Sequence, residues 1–301
     1  MALITKSYRF SADRYYPWLL LAVSVTALWV TWWQAAADFQ SPFDSTRGHW
    51  SVKDYLSSVL SVVALMTLIW RICFAMRYRA FPSVSDGRLP KLTVVIPAFN
   101  EGSQVMLTVR SVARSRYPAR KLQIICVDDG SQDDTWQWME KAQAELPGRV
   151  QLIRQPFNQG KRHALMAGFA QARGDVFVTI DSDSEVLPHT LRHLVSPMVS
   201  DQRVGAVAGN VRVLNIADGA IPKMMEVSFT SAFDFIRSGQ SVYGGVFCTP
   251  GALSAFRAAV IKPCLADWAG QRFMGVPASI GDQTSMISSS FAFSISSIFF
   301  S

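Results

Sequence analysis

Two long apolar runs occupy the first quarter of the chain. From Pro17 to Ala37 nearly every residue is apolar or small and none is charged, with Trp18, Trp29, Trp32 and Trp33 toward the ends. From Tyr55 to Met76 the run carries one formal charge, Arg71, close enough to its end to snorkel outward. As helices, both are long enough to cross a hydrocarbon layer of about 30 Å, and interfacial tryptophans suit such ends. The pattern predicts a helical hairpin: an N-terminal segment 1–16, spans 17–37 and 55–76, and a connecting loop 38–54.

Residues 77–91, with Pro82, Gly87 and Pro90, read as a linker. Beyond it the period changes. Short β-branched apolar runs at Leu92–Ile96, Leu122–Val127, Val150–Ile153 and Val176–Ile180 alternate with helical spacing at 103–115, 133–146 and 161–172. Repeated βα units predict an α/β, Rossmann-like domain: a mainly parallel sheet with helices on both faces. Ligands of such sheets sit beyond the carboxyl ends of the strands. The polar clusters fall there: Pro97 to Glu101, Asp128 to Ser131, Asn158 to Lys161 and Asp181 to Asp183.

Charge adds orientation. Lys6, Arg9 and Arg14 precede the first span, and Arg71, Arg77, Arg79, Arg88 and Lys91 end or follow the second, while the loop between carries Asp38, Asp44 and Asp54 against only Arg47 and Lys53. Both ends of the hairpin are expected on the cytoplasmic side of the cell membrane. The net charge of +7 fits a basic cytoplasmic face. Without a compact Lys/Arg cluster interleaved with aromatics, nucleic acid is not an expected partner. The four cysteines are scattered, with no zinc-type spacing, and read as buried thiols in a reducing compartment. The first run has no small-residue cleavage site before a polar region, so it reads as a retained anchor.

Chemistry concentrates at the strand ends. Asp181-Ser-Asp183, following straight on from a strand, is expected to set two carboxylates on alternate positions facing one side. Mg2+ or Mn2+ suits such oxygen ligands when substrate phosphates complete the shell, although an isolated pair of this kind also serves as a solvated turn. Asp128-Asp-Gly-Ser131 makes a good helix start, yet two adjacent acids exceed what capping needs, and one could accept a hydrogen bond from a uracil ring. Asn158-Gln-Gly-Lys161 sets a glycine and a cation before a helix, a way to approach a diphosphate.

Val95-Ile-Pro-Ala-Phe-Asn-Glu101, Val127-Asp-Asp-Gly-Ser131, Asn158-Gln-Gly-Lys161 with Ala164-Leu165, and Ile180-Asp-Ser-Asp183 occur in the order and spacing of family 2 glycosyltransferases with the GT-A fold. The chain most resembles membrane synthases of hyaluronan, chitooligosaccharide and poly-N-acetylglucosamine, over the hairpin and from about Leu92 to Asp282. The resemblance implies a GT-A domain over 92–283 that transfers a sugar, with N-acetylglucosamine favoured, from a UDP-sugar to a glycan or lipid-linked acceptor with inversion. It implies donor binding by Pro97, Asn100, Glu101, Asp128 or Asp129, Lys161 and Asp181, and metal binding by Asp183. Gly209-Asn-Val-Arg212 resembles the strand beside the sugar pocket, implicating Asn210 and Arg212. Cys248 to Ser254 resembles the loop over the acceptor, implicating Thr249, Pro250, Gly251 and Ala252.

Two departures follow. The resemblance assigns the catalytic base to the last residue of Gly281-Asp-Gln283, where a neutral amide stands, leaving Asp282 as the substitute. Residues 284–301 then turn to Ser, Phe, Ile and Ala, and the family's QxxRW motif is missing, which predicts a truncated or frame-altered copy. A lipid-linked sugar transferase acting once per acceptor, and a non-catalytic nucleotide-sugar-binding remnant, stay open beside the polymer synthase.

Overall fold

The computed structural model describes residues 52–273, 276–277 and 296–299. The expected N-terminal segment, the first span, the loop up to residue 51 and Asp282-Gln283 lie outside the described residues, and residues 52–54, expected in the loop, already belong to the helix that follows. Helix α1 (Val52–Arg77) carries a stretch, Ser58–Arg77, that is long and apolar enough to cross a membrane, alone in this among the described residues. Leu60, Val63 and Met66 are exposed along it.

The next elements are strand β1 (Leu92–Ala98), helix α2 (Gln104–Ala113), strand β2 (Leu122–Asp128), helix α3 (Thr135–Glu145), strand β3 (Val150–Arg154), helix α4 (Lys161–Ala170) and strand β4 (Val176–Ile180). They follow the periodicity to within a few residues. Then come helix α5 (Thr190–Ser200) and strand β5 (Val204–Ala208), helix α6 (Ala220–Thr230), a π-helical stretch (Ser231–Arg237), helix α7 (Ser238–Val242) and strand β6 (Leu253–Arg257). Short helices α8 (Ala258–Ile261) and α9 (Leu265–Ala269), a small pair β7 (Arg272–Phe273) and β8 (Val276–Pro277), and strand β9 (Ser296–Phe299) complete the order.

The main sheet has seven strands in the order β3-β2-β1-β4-β6-β5-β9. Strands β1 to β4 are parallel, with Ala98 opposite Asp128 and Val95 opposite Thr179, so their carboxyl ends share one edge. The order jumps from β1 to β4 and leaves a switch point where ligands of open α/β sheets bind. Strand β6 enters antiparallel to both β4 and β5, a reversal the βα alternation does not foretell. The expected strand around Gly209-Asn-Val-Arg212 instead stops at Ala208, and Asn210 to Arg212 lie past its end.

Alternation along β1 divides the apolar interior in two. Leu92, Val94 and Ile96 join Val105, Val109, Met139 and Leu194 beneath α2, α3 and α5, whereas Val95 joins Leu165, Phe169 and Trp268 beneath α4 and α9. Phe169 and Phe177 stack there at 5.2 Å, and burying each ring contributes about 2–3 kcal/mol. Gly168 lets α4 settle on Val95, because any β-carbon would overlap the valine side chain. On the far side of the domain, α7 packs on α1: Tyr243 stacks on Trp70 at 5.6 Å, and Gly239 lies against Ala75 and Phe74.

Cys126, fully buried in β2, has its thiol pushed up from 9.0 to about 12 by burial. The unfolded chain loses this proton first, so the stability the thiol contributes is complete below pH 9.0 and is lost as pH rises toward about 12. The urea midpoint of the protein should therefore fall more steeply with pH from 9.0 upward than that of Cys126→Ala. At neutral pH a charged maleimide should label exposed Cys248 and spare buried Cys126 and Cys264 until denaturant is added. Equal labelling rates in the folded state would contradict this packing.

Candidate functional site

The loop after β1 turns at Asn100, whose backbone sits in the left-handed region at φ 53°, a conformation asparagine tolerates better than most residues. Its N–H donates to Ser131 Oγ at 3.0 Å, and its Oδ1 accepts from the Gln132 N–H at 2.9 Å. The Glu101 and Gly102 amides donate to Thr135 Oγ1 at 2.9 and 2.8 Å. These bonds lace the β1 loop to the β2 loop and leave the Glu101 side chain free to face the next turn.

The adjacent acids after β2 divide their work. Asp128 is buried and turns inward: Oδ1 accepts from the Ser131 N–H at 3.0 Å, and Oδ2 lies 3.4 Å from Arg154 Nε. Asp129 reaches the other way, accepting from the Gln159 and Gly160 amides at 2.9 and 2.8 Å. It fixes the loop that delivers Lys161 at the first turn of α4. Gly130, at φ 75°, makes this approach possible, since a β-carbon there would lie 2.5 Å from the carbonyl carbon of Phe157.

The Asp181-Ser-Asp183 turn is held from three sides. Its first amide donates to the Ala252 carbonyl at 3.3 Å, and the Ser184 amide closes the turn on the Asp181 carbonyl at 3.1 Å. From beneath, the buried Thr108 hydroxyl of α2 donates to the Ser182 carbonyl at 2.7 Å. The carboxylates therefore sit in a turn beyond β4, not on alternate strand positions as the sequence predicts. Pairing of β4 with β6 ends at Ile180 opposite Leu253, which releases the chain into the turn. Asp181 forms an ion pair with the Lys161 ammonium.

These parts enclose a cavity of about 350 Å3 between the strand ends. Pro97, Glu101, Asp129, Lys161, Asp181 and Asp183 all line it, together with Phe99 and Ser182. Burial first, then the negative charges of Asp183, Asp181 and Asp133, raise the Glu101 carboxyl above its ordinary value, against a lowering bond to Ser182. Four carboxylates, Glu101, Asp129, Asp181 and Asp183, thus share the lining with a single ammonium, an arrangement that favours an added cation. Their hard oxygens suit Mg2+ or Mn2+. Among the described residues no group of three or more protein ligands is set to hold a metal by itself, so oxygens from elsewhere, such as phosphate or water, would complete the shell.

Other expected residues lie elsewhere. Asn100 and Asp128 do not line the cavity: Asn100 Oδ1 and Asp128 Oδ1 accept from turn amides, while Asp128 Oδ2 is buried near Arg154 without a hydrogen bond. Asn210 donates to Asp234 at 2.7 Å, and Arg212 pairs with Glu226 at 3.0 Å and with Asp234, so both engage α6 and the π-helical stretch instead of the cavity. In the 249–252 loop, Gly251 borders the site, since a β-carbon on it would come 3.2 Å from Lys161 Nζ. Thr249 is buried with its hydroxyl unpartnered, the Pro250 carbonyl accepts from Ser254 at 2.7 Å, and Arg237 donates to the Cys248 carbonyl at 2.9 Å. Thr108 was not foreseen; a hydroxyl inside an otherwise apolar helical face is its only trace in the sequence.

The chain matches the profile of Glycosyl transferase family 2 over residues 93–265. It is 31% identical over 229 residues to a hyaluronan synthase of Streptococcus pyogenes, covering 74% of this chain and 54% of that protein. An N-acetylglucosaminyltransferase of Rhizobium meliloti (strain 1021) is 29% identical over 234 residues, covering 75% and 54%. The chain thus spans about half the length of these curated relatives. Among solved structures, a mannosyltransferase of Pyrobaculum calidifontis in complex with GDP-Man and Mn2+ superposes with a TM-score of 0.58 at 19% identity, covering 81% of this chain and 66% of that one.

Gly130→Ala should destabilise the protein by about 2 kcal/mol or more, because left-handed strain adds to a backbone overlap. Thr108→Val, nearly isosteric, should cost about 1–3 kcal/mol by leaving the buried Ser182 carbonyl unpaired. Urea titration of the two variants checks both; a Gly130→Ala protein of unchanged midpoint would contradict the described turn.

Proposed function

Because the chain belongs to Glycosyl transferase family 2, we propose that it is a membrane-bound inverting β-glycosyltransferase, moving N-acetylglucosamine from a UDP-sugar to a growing polysaccharide at the cytoplasmic face of the cell membrane. The observation that carries this reading is the cavity where Glu101, Asp181 and Asp183 converge on Lys161 at the sheet edge. In the proposed complex Asp129 accepts the uracil N–H on a free lone pair, Lys161 meets the diphosphate, and Asp181 lies by the ribose and diphosphate. Asp183, assisted by Asp181, holds Mg2+ or Mn2+; such an ion, when bound, neutralises charge on the departing UDP. The acceptor hydroxyl oxygen forms the new bond to the anomeric carbon as the bond to the diphosphate breaks. UDP leaves with that electron pair, and a carboxylate, Asp282 in this reading, takes the hydroxyl proton.

Gln283 favours a second reading, a membrane-bound protein that binds nucleotide-sugar without turnover, since an amide cannot act as base at the position the family motif assigns. A lipid-linked acceptor taking a single sugar is separated from a growing glycan by product length.

A panel of radiolabelled UDP-sugars on the membrane-reconstituted protein, with Mg2+ and with Mn2+, tests these readings. Transfer from UDP-N-acetylglucosamine should give products of increasing length and fall about 100-fold or more in Asp183→Asn. It should disappear in Asp282→Asn and rise in Gln283→Asp. Metal-dependent binding with no transfer by the natural chain would instead select the nucleotide-sugar-binding protein.

A further inference from the structure

Lys161 and Arg162 open helix α4 side by side, yet they meet different surroundings. The Lys161 ammonium lines the cavity and pairs with Asp181. Arg162 is only 5% exposed; it lays its guanidinium over the Trp268 indole, 5.1 Å from the ring centroid, and donates through Nη1 to the Trp268 carbonyl at 2.8 Å. Arginine is seldom buried to this degree, because removing the ion from water is costly unless fixed partners replace the water. Trp268 is itself fully buried, set among Val95, Leu165 and Phe169. Its carbonyl belongs to the last turn of α9, where helical carbonyls lack partners within the helix and a cation is favoured. Arg162 thus holds one residue of α9 by both its ring and its backbone.

The clamp stands directly beside the cation of the cavity. The chain enters α4 through Gly160, at φ 91°, a glycine hinge, and no side chain caps the start of the helix. Ahead of Lys161, Asp129 grips the Gln159 and Gly160 amides. Behind it, Arg162 ties the first turn to α9. Lys161 is therefore held between two anchors, one on the loop and one on the helix. The tolerance is small: a β-carbon on Gly251 would already lie 3.2 Å from the Lys161 ammonium, so a first turn that swings toward this loop has no room.

We infer that Arg162 is a positioning residue for the donor: by fastening α9 to the first turn of α4, it holds Lys161 where its ammonium meets the diphosphate. Arg162 does not line the cavity and acts through its neighbour. The inference rests on the proposed role of Lys161 in binding the diphosphate, and its test separates the two.

The full chain, reconstituted in membrane, is compared with Lys161→Met, Arg162→Met and the double variant, each at a temperature where near-ultraviolet circular dichroism shows it folded. Calorimetry with Mn2+ present reads the affinity for UDP, and displacement of UDP reads that for uridine, which lacks the diphosphate. UDP should bind about tenfold more weakly to either single variant, and the double variant should fall no further than Lys161→Met, because residues that act through one contact are not additive. Uridine affinity should stay the same throughout. UDP affinity that falls in Lys161→Met but holds in Arg162→Met overturns the inference and leaves the donor site intact. Equal losses of UDP and uridine in Arg162→Met mean general loosening of the pocket, and additive losses mean that Arg162 acts apart from Lys161; each overturns it. UDP affinity unchanged in Lys161→Met removes both readings. If Arg162→Met does not fold, Arg162→Lys, which keeps the charge without the planar fork, carries the same comparisons with an expected loss of about threefold, and an unchanged UDP affinity there overturns the inference.

Discussion

Electrostatic repulsion among Glu101, Asp181 and Asp183, only partly relieved by Lys161, is the constraint around which the cavity edge is built. Left alone, such a group would spread into solvent or take up protons; the Glu101 carboxyl is raised first by its burial and then by the charges of Asp183, Asp181 and Asp133. Holding it in place takes anchors beyond the cavity: the Ala252 carbonyl behind Asp181, Thr108 beneath Ser182, and Thr135 beneath the Glu101 amide. Asp129 does the same for the ammonium by gripping two amides ahead of Lys161. The parallel register of β1, β2 and β4 makes these anchors reachable, since it brings every loop to the same edge.

The parts legible in the sequence are those governed by local period. Strands β1 to β4 are runs of β-branched residues with polar residues immediately beyond, and parallel pairing follows from the helices between them. The convergence of Pro97, Glu101, Asp129, Lys161, Asp181 and Asp183 was legible for the same reason. Long-range choices were not. Nothing local tells that β6 runs antiparallel, or that of two adjacent aspartates Asp128 closes its own turn while Asp129 faces the cavity. The present partners of Asn210 and Arg212, Glu226 and Asp234, were not legible because they lie on helices whose packing against the end of β5 is set by tertiary contacts.

Helix α1 and the carboxylate-lined cavity are joined through one helical segment. From α7 against α1, the chain leads back through Arg237, which grips the Cys248 carbonyl with its guanidinium 4.1 Å over the Phe233 ring, to Asp234 at the end of β5. The loop that Arg237 grips ends at Ala252, the carbonyl that receives the Asp181 amide. The helical segment packed on α1 is thereby connected to the Asp181 turn through a few hydrogen bonds.

Calorimetric titration of UDP into the reconstituted protein, with and without Mn2+, tests most directly whether the carboxylate cluster is a cation-bridged donor site. Bridging by the ion requires that UDP bind at least about tenfold more tightly with Mn2+ present, the equivalent of 1.4 kcal/mol of coupling, and that Mn2+ tighten UDP and UDP tighten Mn2+ by the same factor. Equal UDP affinity with and without the metal would contradict it.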